Sequence, residues 1–359
     1  MLSKQNAATL PLSLLLVELI FFQVNRRTIA IMAGIIFLAL VVAAATVASG
    51  KLSLESLDLA TRESDAVTRS EYLAIQTQVL WHYVRLFVFP VGLRLEYEPP
   101  AASAWGDTPV ILATIAHLAI MGIALFFARK KPVPAFGVLL FYTAHLVESS
   151  VFPIRDVAFE HRTYLPNVGL CILLGWLASE SYARYQNWRS PLAFATALVV
   201  AVLSMMTVQR NLLWRDPVAF FEQNTRVEPN NVRAWGHLST EYIDRKNYVA
   251  AFSALQKVDR TRLNNITREK YFVNVVISLS GMKKDDDAIR AGKELLDAKV
   301  VNDPAQRAVI LNTMAISLAR IGFGNQAMRS LEEALQLNPE NQEAIKNYAT
   351  MKPAGCRKA

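Results

Sequence analysis

The sequence has few cysteines, and the signature motifs of several enzyme classes are missing from it. Its two cysteines, Cys171 in an apolar run and Cys356 near the terminus, exclude a disulfide framework and a CxxC metal site. No HExxH pattern, P-loop, glycine-rich dinucleotide turn or GxSxG elbow occurs in the 359 residues. Redox, zinc-protease and soluble nucleotide chemistry are therefore disfavoured.

Charge is also scarce. Only 19% of the residues are charged and 53% are hydrophobic, with a mean hydropathy of +0.23, which is too apolar for an ordinary soluble protein. The apolar runs lie before residue 208, and the chain beyond it is more polar. We therefore expect a membrane domain at 1–208, a water-soluble helical domain at 209–351 and a short tail at 352–359.

The net charge of +8 has an explanation in membrane topology. Many lysines and arginines stand in short clusters between apolar runs, where positive charge keeps a loop on the cytoplasmic side. Such clusters differ from the continuous basic stripe of a nucleic-acid interface. We therefore expect no nucleic-acid partner.

Six apolar runs approach the ~20 residues that a helix needs to cross a bilayer. They occupy 8–23, 28–49, 109–128, 133–151, 167–183 and 191–208. Basic clusters follow the first, third and fifth runs and mark cytoplasmic loops. The alternation places loops 50–108 and 152–166, both termini and the whole polar domain on the extracytoplasmic side.

The outward loop 50–108 contains a helical pattern of apolar residues. The pattern comprises Leu73, Val79, Leu80, Tyr83, Leu86 and Phe87. Two interpretations stay open, an interfacial helix that shapes an outward cavity and a surface helix packed on the bundle. His82 and Arg85 are a turn apart and could face a lipid phosphate, or they could make simple solvated contacts.

Residues 232–340 contain an internal repeat with tetratricopeptide spacing, near 232–265, 269–302 and 308–341, with caps at 214–229 and 341–351. The predicted packing positions are Trp235, Leu238, Tyr242, Ala251, Ala288, Ala327 and Ala334, with Pro339 ending a helix. The predicted fold is all-α: a polytopic transmembrane helix bundle followed by a tetratricopeptide α-solenoid. Its concave face is predicted to hold a protein partner.

Two ionisable residues fall within the fourth predicted span. His145 and Glu148 are three apart and are expected to share a helix face. Ionisable groups in a span usually face a polar cavity or a partner, so both are candidate site residues. The alternative is a His–Glu hydrogen bond that ties this span to its neighbours.

The following loop carries Glu160, His161 and Arg162, which combine a potential acid or base, an imidazole and a fixed cation. Such a set suits a phospholipid-linked donor, because Arg pairs with phosphate oxygens and Glu or His accepts a proton from a hydroxyl. A salt-bridged loop corner, with Tyr164 as an interfacial anchor, is the alternative. No metal-ligand set is visible, and a divalent metal for a phosphate-bearing donor is left open.

Four segments carry a resemblance to a known family. They are SKQNAATLP at 3–11, HLVESS at 145–150, EHRTYLP at 160–166, and Arg210 to Trp214. The chain resembles bacterial multispan proteins with C-terminal tetratricopeptide repeats, related to the animal transmembrane-and-tetratricopeptide protein O-mannosyltransferases. The resemblance covers nearly the whole chain.

The resemblance implies a GT-C glycosyltransferase, a hexosyltransferase that takes sugar from a polyprenyl-phosphate donor at the outer side of the membrane. It implies a multi-pass protein of the bacterial inner membrane with a periplasmic repeat domain, and no soluble cofactor. In such enzymes the Ser-Lys-x-Asn motif lies mid-chain, after an outward loop with the catalytic acidic residues. This sequence begins at that motif and has no counterpart of the acidic loop, so an upstream membrane segment is one expected partner.

Three hypotheses follow. The first is sugar transfer to protein, with Glu160, His161 and Glu148 as catalytic candidates. The substrate-binding candidates are Arg162, Tyr164, His145 and Arg85, with Arg162 on the donor phosphate. The second is a non-enzymatic membrane-anchored tetratricopeptide scaffold for envelope, pilus or secretion assembly. The third is a ligase or polymerase that acts on lipid-linked oligosaccharide. Whether the chain is an enzyme is left open between them.

Overall fold

The computed structural model describes residues 9–22, 30, 33–34, 68–95, 97, 104–146, 148–149 and 157–352. Within these residues the chain folds into fourteen α-helices joined by loops and short 3-10 turns, with no strand. The chain divides into two compact units, residues 1–203 and 204–359.

The first unit contains the helices of the apolar part of the chain. They are α1 (Leu10–Phe21), α2 (Arg69–Val88), α3 (Thr108–Phe127), α4 (Pro132–His145), α5 (Tyr164–Arg184) and α6 (Arg189–Leu213), which continues into the second unit. Helix α4 lies at the centre, because it packs against α1, α3 and α5. Helix α2 packs against α3.

Local sequence signals set where these helices begin. A capping box starts α2, in which the Thr68 hydroxyl accepts from the Glu71 N–H and the Glu71 carboxylate accepts from the Thr68 N–H. Prolines stand in the first turn of α3 and α4, where a missing N–H leaves no helix hydrogen bond unmade. The apolar pattern of loop 50–108 thus forms a regular helix of 20 residues.

Two glycines set the close packing of α4 on α5. A Cβ atom added to Gly137 would lie 2.6 Å from the backbone oxygen of Gly169 and 3.1 Å from the amide nitrogen of Leu173. A Cβ on Gly169 would meet the Gly137 oxygen and the Phe141 amide nitrogen in turn. Only glycine, whose side chain is a hydrogen atom, fits at these two positions. The pairing of Gly137 with Leu173 and of Phe141 with Gly169 shows that the two helices run antiparallel.

Two helices are long and apolar enough to cross a membrane: Thr108–Phe127, and Gln186–Leu213, which joins a 3-10 turn to α6. The apolar surface of Gln186–Leu213 is not buried in the protein, with Phe194 71% exposed. Such a surface is unfavourable in water and favourable in lipid. The two helices indicate a membrane protein.

The six predicted spans correspond to this structure in part. The third and sixth coincide with the two span-length helices. The first forms only the 12-residue α1, and the fourth forms the 14-residue α4, which ends at His145 rather than at residue 151. The fifth forms α5, whose 21 residues include charged and polar side chains near its end. Most of the second, at 28–49, lies outside the described residues.

The second unit is a series of helix pairs. Its helices are α7 (Pro217–Val227), α8 (Val232–Asp244), α9 (Tyr248–Leu255), α10 (Asn265–Gly281), α11 (Asp285–Asp297), α12 (Pro304–Arg320), α13 (Gly324–Leu337) and α14 (Gln342–Met351). Each helix packs against the next along the chain, and α10 also packs against α8 and α12. Asx side chains cap the start of several helices, as Asn231, Asn247 and Asn341 do.

Small residues lie where these helices approach closely. Of the packing positions named from the sequence, the alanines Ala251, Ala288, Ala327 and Ala334 are fully buried, and Leu238 is buried. The indole of Trp235 donates a hydrogen bond of 2.8 Å to the Pro229 carbonyl oxygen. The hydroxyl of Tyr242 donates one of 2.6 Å to the Glu222 carboxylate. Pro339 is the second residue after Leu337, where α13 ends.

We predict that Gly137→Ala destabilises the first unit by roughly 1–3 kcal/mol, because the added methyl group clashes with the backbone of α5. Thermal unfolding in detergent measures the change. The matched control is Gly175→Ala on α5, where nothing lies within 4 Å of the added Cβ. The control should unfold at or slightly above the wild-type temperature, since Ala favours helix over Gly. Equal stability of the two variants would contradict the proposed crossing.

Candidate functional site

The candidate site lies in the first unit, where one face of α2 meets residues 157–163 and the end of α4. The apolar base of the contact consists of Ile75, Val79, Tyr83, Val157 and Ala158. Residues 160–163 form a 3-10 turn that leads directly into α5. The site therefore combines segments that are far apart along the chain.

Polar side chains of α2 hold the two loop segments in place. The Gln76 amide nitrogen donates to the Val157 carbonyl oxygen at 2.9 Å, and its amide oxygen accepts from the Ser149 hydroxyl at 2.9 Å. Tyr72 donates through its hydroxyl to the Glu148 carbonyl oxygen at 2.8 Å. Because Tyr72 and Gln76 are buried, these bonds satisfy groups that would otherwise be costly to bury.

Glu148 and Arg162 form an ion pair with little access to solvent. The Glu148 Oε2 and Arg162 Nε atoms are 3.6 Å apart, and the side chains are 15% and 9% exposed. The Arg162 guanidinium also lies 5.0 Å from the centre of the Phe159 ring. The antiparallel packing of α4 and α5 places the two charges at the same end of the helix pair. A fixed cation thus lies beside a carboxylate at the end of the bundle.

Glu160 is held by two donors from the segment after α2. One of its oxygens, Oε1, accepts from the Arg94 backbone N–H and from the Tyr97 hydroxyl, the latter at 2.7 Å. Burial and the negative charge of Glu160 raise the pKa of Tyr97, so its phenol stays protonated at neutral pH. The Arg94 guanidinium lies 4.5 Å from the centre of the Tyr97 ring.

The sequence predicted that His145 and Glu148 lie on one helix, but His145 is the last residue of α4 and Glu148 lies in the turn that follows it. The His145 ring stacks on Tyr83 with centroids 5.2 Å apart. Neither ring nitrogen has a hydrogen-bond partner among the residues that the structure describes. The carboxylate of Glu148 pairs with Arg162 instead, and Tyr83 accepts a 2.9 Å hydrogen bond from the Phe159 N–H.

The remaining predicted site residues are more open. His161 is exposed and its ring lies 5.0 Å from that of Phe159, and Tyr164 is 84% exposed. Arg85 is exposed on α2. Its contact with a lipid phosphate stays a prediction.

His82 occupies a different environment from its neighbour Arg85. Its ring meets the Tyr97 ring edge-on, with centroids 4.8 Å apart. Burial, and then the charges of Arg85 and Arg94, lower the pKa of His82 from 6.5 to about 4. The imidazole is therefore neutral at physiological pH.

No group of three or more His, Cys, Asp or Glu side chains that could hold a metal ion is found in the described part of the chain. The site instead brings together three kinds of polar group. They are the guanidinium of Arg162, the carboxylates of Glu148 and Glu160, and the phenols of Tyr72, Tyr83 and Tyr97. Such a set can bind an anionic group through Arg162 and exchange a proton through Glu160.

Sequence reasoning missed four residues that build the site: Tyr72, Gln76, Arg94 and Tyr97. It named Tyr83 only as part of the apolar pattern of loop 50–108. Tyr72, Gln76 and Tyr83 recur at helical spacing on the buried face of α2. Polar residues on an otherwise apolar helix face were therefore the sequence signal that could have identified Tyr72 and Gln76. Nothing local marks Tyr97, whose partner lies 63 residues away.

No protein-family model matches the chain, and no solved structure matches it significantly. The curated proteins that match include "Protein O-mannosyl-transferase Tmtc2" of Drosophila melanogaster, 29% identical over 148 residues, and "Protein O-mannosyl-transferase TMTC3" of Mus musculus, 21% identical over 274 residues. These matches support a distant relationship between this chain and the TMTC proteins.

The matches are distant and partial. The fly match covers 41% of this chain and 14% of the fly protein, and the mouse match covers 70% of this chain and 29% of the mouse protein. "Protein O-mannosyl-transferase TMTC3" of Homo sapiens is 23% identical over 52% of this chain and 20% of its own length. The chain thus matches less than a third of the length of these relatives.

We predict that Glu148 and Arg162 are energetically coupled by about 1–3 kcal/mol. Either single change to Ala leaves one charge with little solvent and no partner in this pair, so the double variant should be more stable than the sum of the single changes predicts. Unfolding in detergent of the four proteins measures the coupling. The control is the exposed pair of Arg226 and Glu222, 3.4 Å apart, with an expected coupling of about 0.3–0.5 kcal/mol. Equal coupling in both pairs would contradict the burial argument.

We predict a pH-dependent contribution of His82 to stability. Because its pKa is lower in the folded protein than its ordinary 6.5, the unfolded chain binds the proton first, and stability is lost as pH falls from 6.5 towards 4. Melting temperatures at pH 7, 5.5 and 4.5 measure the loss. In His82→Gln the decline should be smaller, and an unchanged pH profile would be inconsistent with the buried imidazole.

Proposed function

We propose that the chain acts in a GT-C-like membrane glycosyltransfer, in which sugar passes from a polyprenyl-phosphate donor to protein on the extracytoplasmic side. The single observation that carries the proposal is the position of Arg162, on the Glu148 carboxylate and beside the separately held Glu160. The similarity to proteins named O-mannosyl-transferases supports the same reaction class.

In this proposal Arg162 binds the phosphate of the donor. Transfer breaks the bond between the sugar's anomeric carbon and the phosphate oxygen, and negative charge develops on the leaving phosphate. A guanidinium stabilises this charge with directional N–H donors. Glu148 positions Arg162, and the contact of Arg162 with the Phe159 ring restricts it further.

Glu160 accepts the proton of the acceptor's hydroxyl group while the oxygen of that hydroxyl group attacks the anomeric carbon. The hydrogen bonds from Tyr97 and the Arg94 N–H fix the orientation of the carboxylate. His161 is exposed beside it and is the alternative proton acceptor, while His145 and Tyr164 shape the surroundings. The chain is a multi-pass protein of the inner membrane in this proposal. The polyprenyl chain of the donor lies in the lipid, and Arg85 contacts the phosphate headgroup region.

The second unit, in this proposal, is a periplasmic tetratricopeptide solenoid that presents the acceptor protein. Its helix pairs and buried alanines are the features that support this assignment. The same features support a second candidate function, a membrane-anchored scaffold for envelope, pilus or secretion assembly. A ligase or polymerase of lipid-linked oligosaccharide would use the same charged site with a different acceptor.

We predict that Glu160→Gln lowers sugar transfer by at least about 100-fold, because the amide is a poor base while its oxygen can still accept from Tyr97 and the Arg94 N–H. Arg162→Ala should also lower transfer strongly. The assay follows radiolabelled sugar from a polyprenyl-linked donor to envelope protein in membranes that contain the chain, alone and with the region encoded upstream.

Arg184→Ala is the control for these variants. Arg184 is the last residue of α5, whereas Glu160 and Arg162 lie just before its first residue. It should transfer sugar as the wild type does. Size-exclusion chromatography in detergent checks that each variant is folded. Unchanged transfer by folded Arg162→Ala would reject its donor role, and no transfer by the wild type under either condition would favour the scaffold.

A further inference from the structure

A cavity of about 730 Å³ opens in the second unit, on residues that no part of the proposed transfer reaction uses. It is formed by the segment after α9, the start of α10 and the turn between α11 and α12. Its lining residues are Arg260, Leu263, Arg268, Glu269, Phe272, Ala298, Lys299, Val300 and Asn302. The volume is within the range of sites that bind small molecules or a few residues of a peptide.

The cavity carries an excess of positive charge. Arg260, Arg268 and Lys299 line it with exposed side chains, against the single carboxylate of Glu269. That carboxylate already accepts the backbone N–H groups of Asn302 at 3.0 Å and Asp303 at 3.4 Å. None of the three cations has a carboxylate partner in the described ranges. A negative ligand would therefore meet cations that are available to pair with it.

Contacts at the cavity wall hold the two arginines. Arg260 donates from Nε to the Tyr271 hydroxyl at 3.1 Å, and Arg268 donates from one terminal nitrogen to the Leu263 carbonyl oxygen at 3.3 Å. Each guanidinium has five N–H donors, so most of them stay available. Holding an arginine in place lowers the entropy lost when it binds a carboxylate.

Part of the cavity lining is apolar. Leu263 is buried, and Phe272 and Val300 are half-buried. A simple anion would leave the exposed part of this lining in contact with water, because it cannot cover apolar surface. A ligand that fits the whole cavity needs both negative groups and an apolar side chain.

We propose that this cavity binds an acidic peptide segment with an apolar side chain at its centre. Carboxylates of the segment pair with Arg260, Arg268 and Lys299, and the apolar side chain packs on Phe272 and Leu263. The proposal does not depend on the transfer reaction. It assigns a peptide site to one end of the α10–α11 pair, lined by the segments that precede and follow this pair.

The test uses the full-length chain in detergent and a fluorescein-labelled peptide of eight residues, with glutamates flanking one phenylalanine. Fluorescence anisotropy measures its affinity. We expect Arg260→Glu combined with Arg268→Glu to weaken binding at least about tenfold, since two charge-assisted contacts become repulsive. Replacing the glutamates of the peptide with lysines should abolish binding. Replacing its phenylalanine with alanine should weaken binding.

Arg329→Glu combined with Lys346→Glu is the matched control, because it makes the same change in net charge at exposed residues outside the cavity. It should bind the peptide as the wild type does, and circular dichroism should show the same helix content in all proteins. Equal weakening in both double variants would overturn the proposal in favour of non-specific charge attraction. Displacement of the peptide by millimolar inorganic phosphate, or equal binding of the alanine peptide, would also overturn it.

Discussion

The close contact between Gly137 and Gly169 is the constraint on which the candidate site depends. Without side chains at these positions, α4 and α5 approach until backbone meets backbone. Their antiparallel packing then places the residues after the end of α4 beside the turn before α5, and Glu148 meets Arg162 there. A bulkier residue would move one helix past or away from the other. The distance between the two charges would change with it, because packed interiors shift as rigid elements.

Helix α2 completes the site from outside the α4–α5 pair. Its apolar face packs on Val157 and Ala158, while the polar groups of Tyr72 and Gln76 reach backbone and side-chain atoms of the two loop segments. A buried polar group is stable only with a partner, so each of these hydrogen bonds favours one arrangement of the loops. The segment after α2 extends the same support to Glu160. The charged residues are thus held by a scaffold of tyrosines and one glutamine.

The second unit follows a simpler rule. Most of its helices begin at Asx caps, they pack through alanines, and each helix contacts mainly its neighbours in sequence. Such a unit depends on local contacts, whereas the charged site of the first unit depends on pairs of residues more than 60 positions apart. The basic cavity at Phe272, which we propose as a peptide site, lies at one end of the α10–α11 pair.

The sequence predicts most of the helices, although not all of their bounds, since hydropathy, proline position, caps and small-residue spacing are local properties. It also identified Glu148, Glu160 and Arg162, because charge is conspicuous in an apolar chain. Which groups meet depends on how the helices pack. The His145 ring stacks on Tyr83 and does not pair with Glu148, and Tyr97 donates a hydrogen bond to Glu160. A helix pattern shows which face of a helix is buried, but it carries no information about the residues that pack against that face. The packing of α4 on α5 and the end of α4 at His145 decide which residues these are.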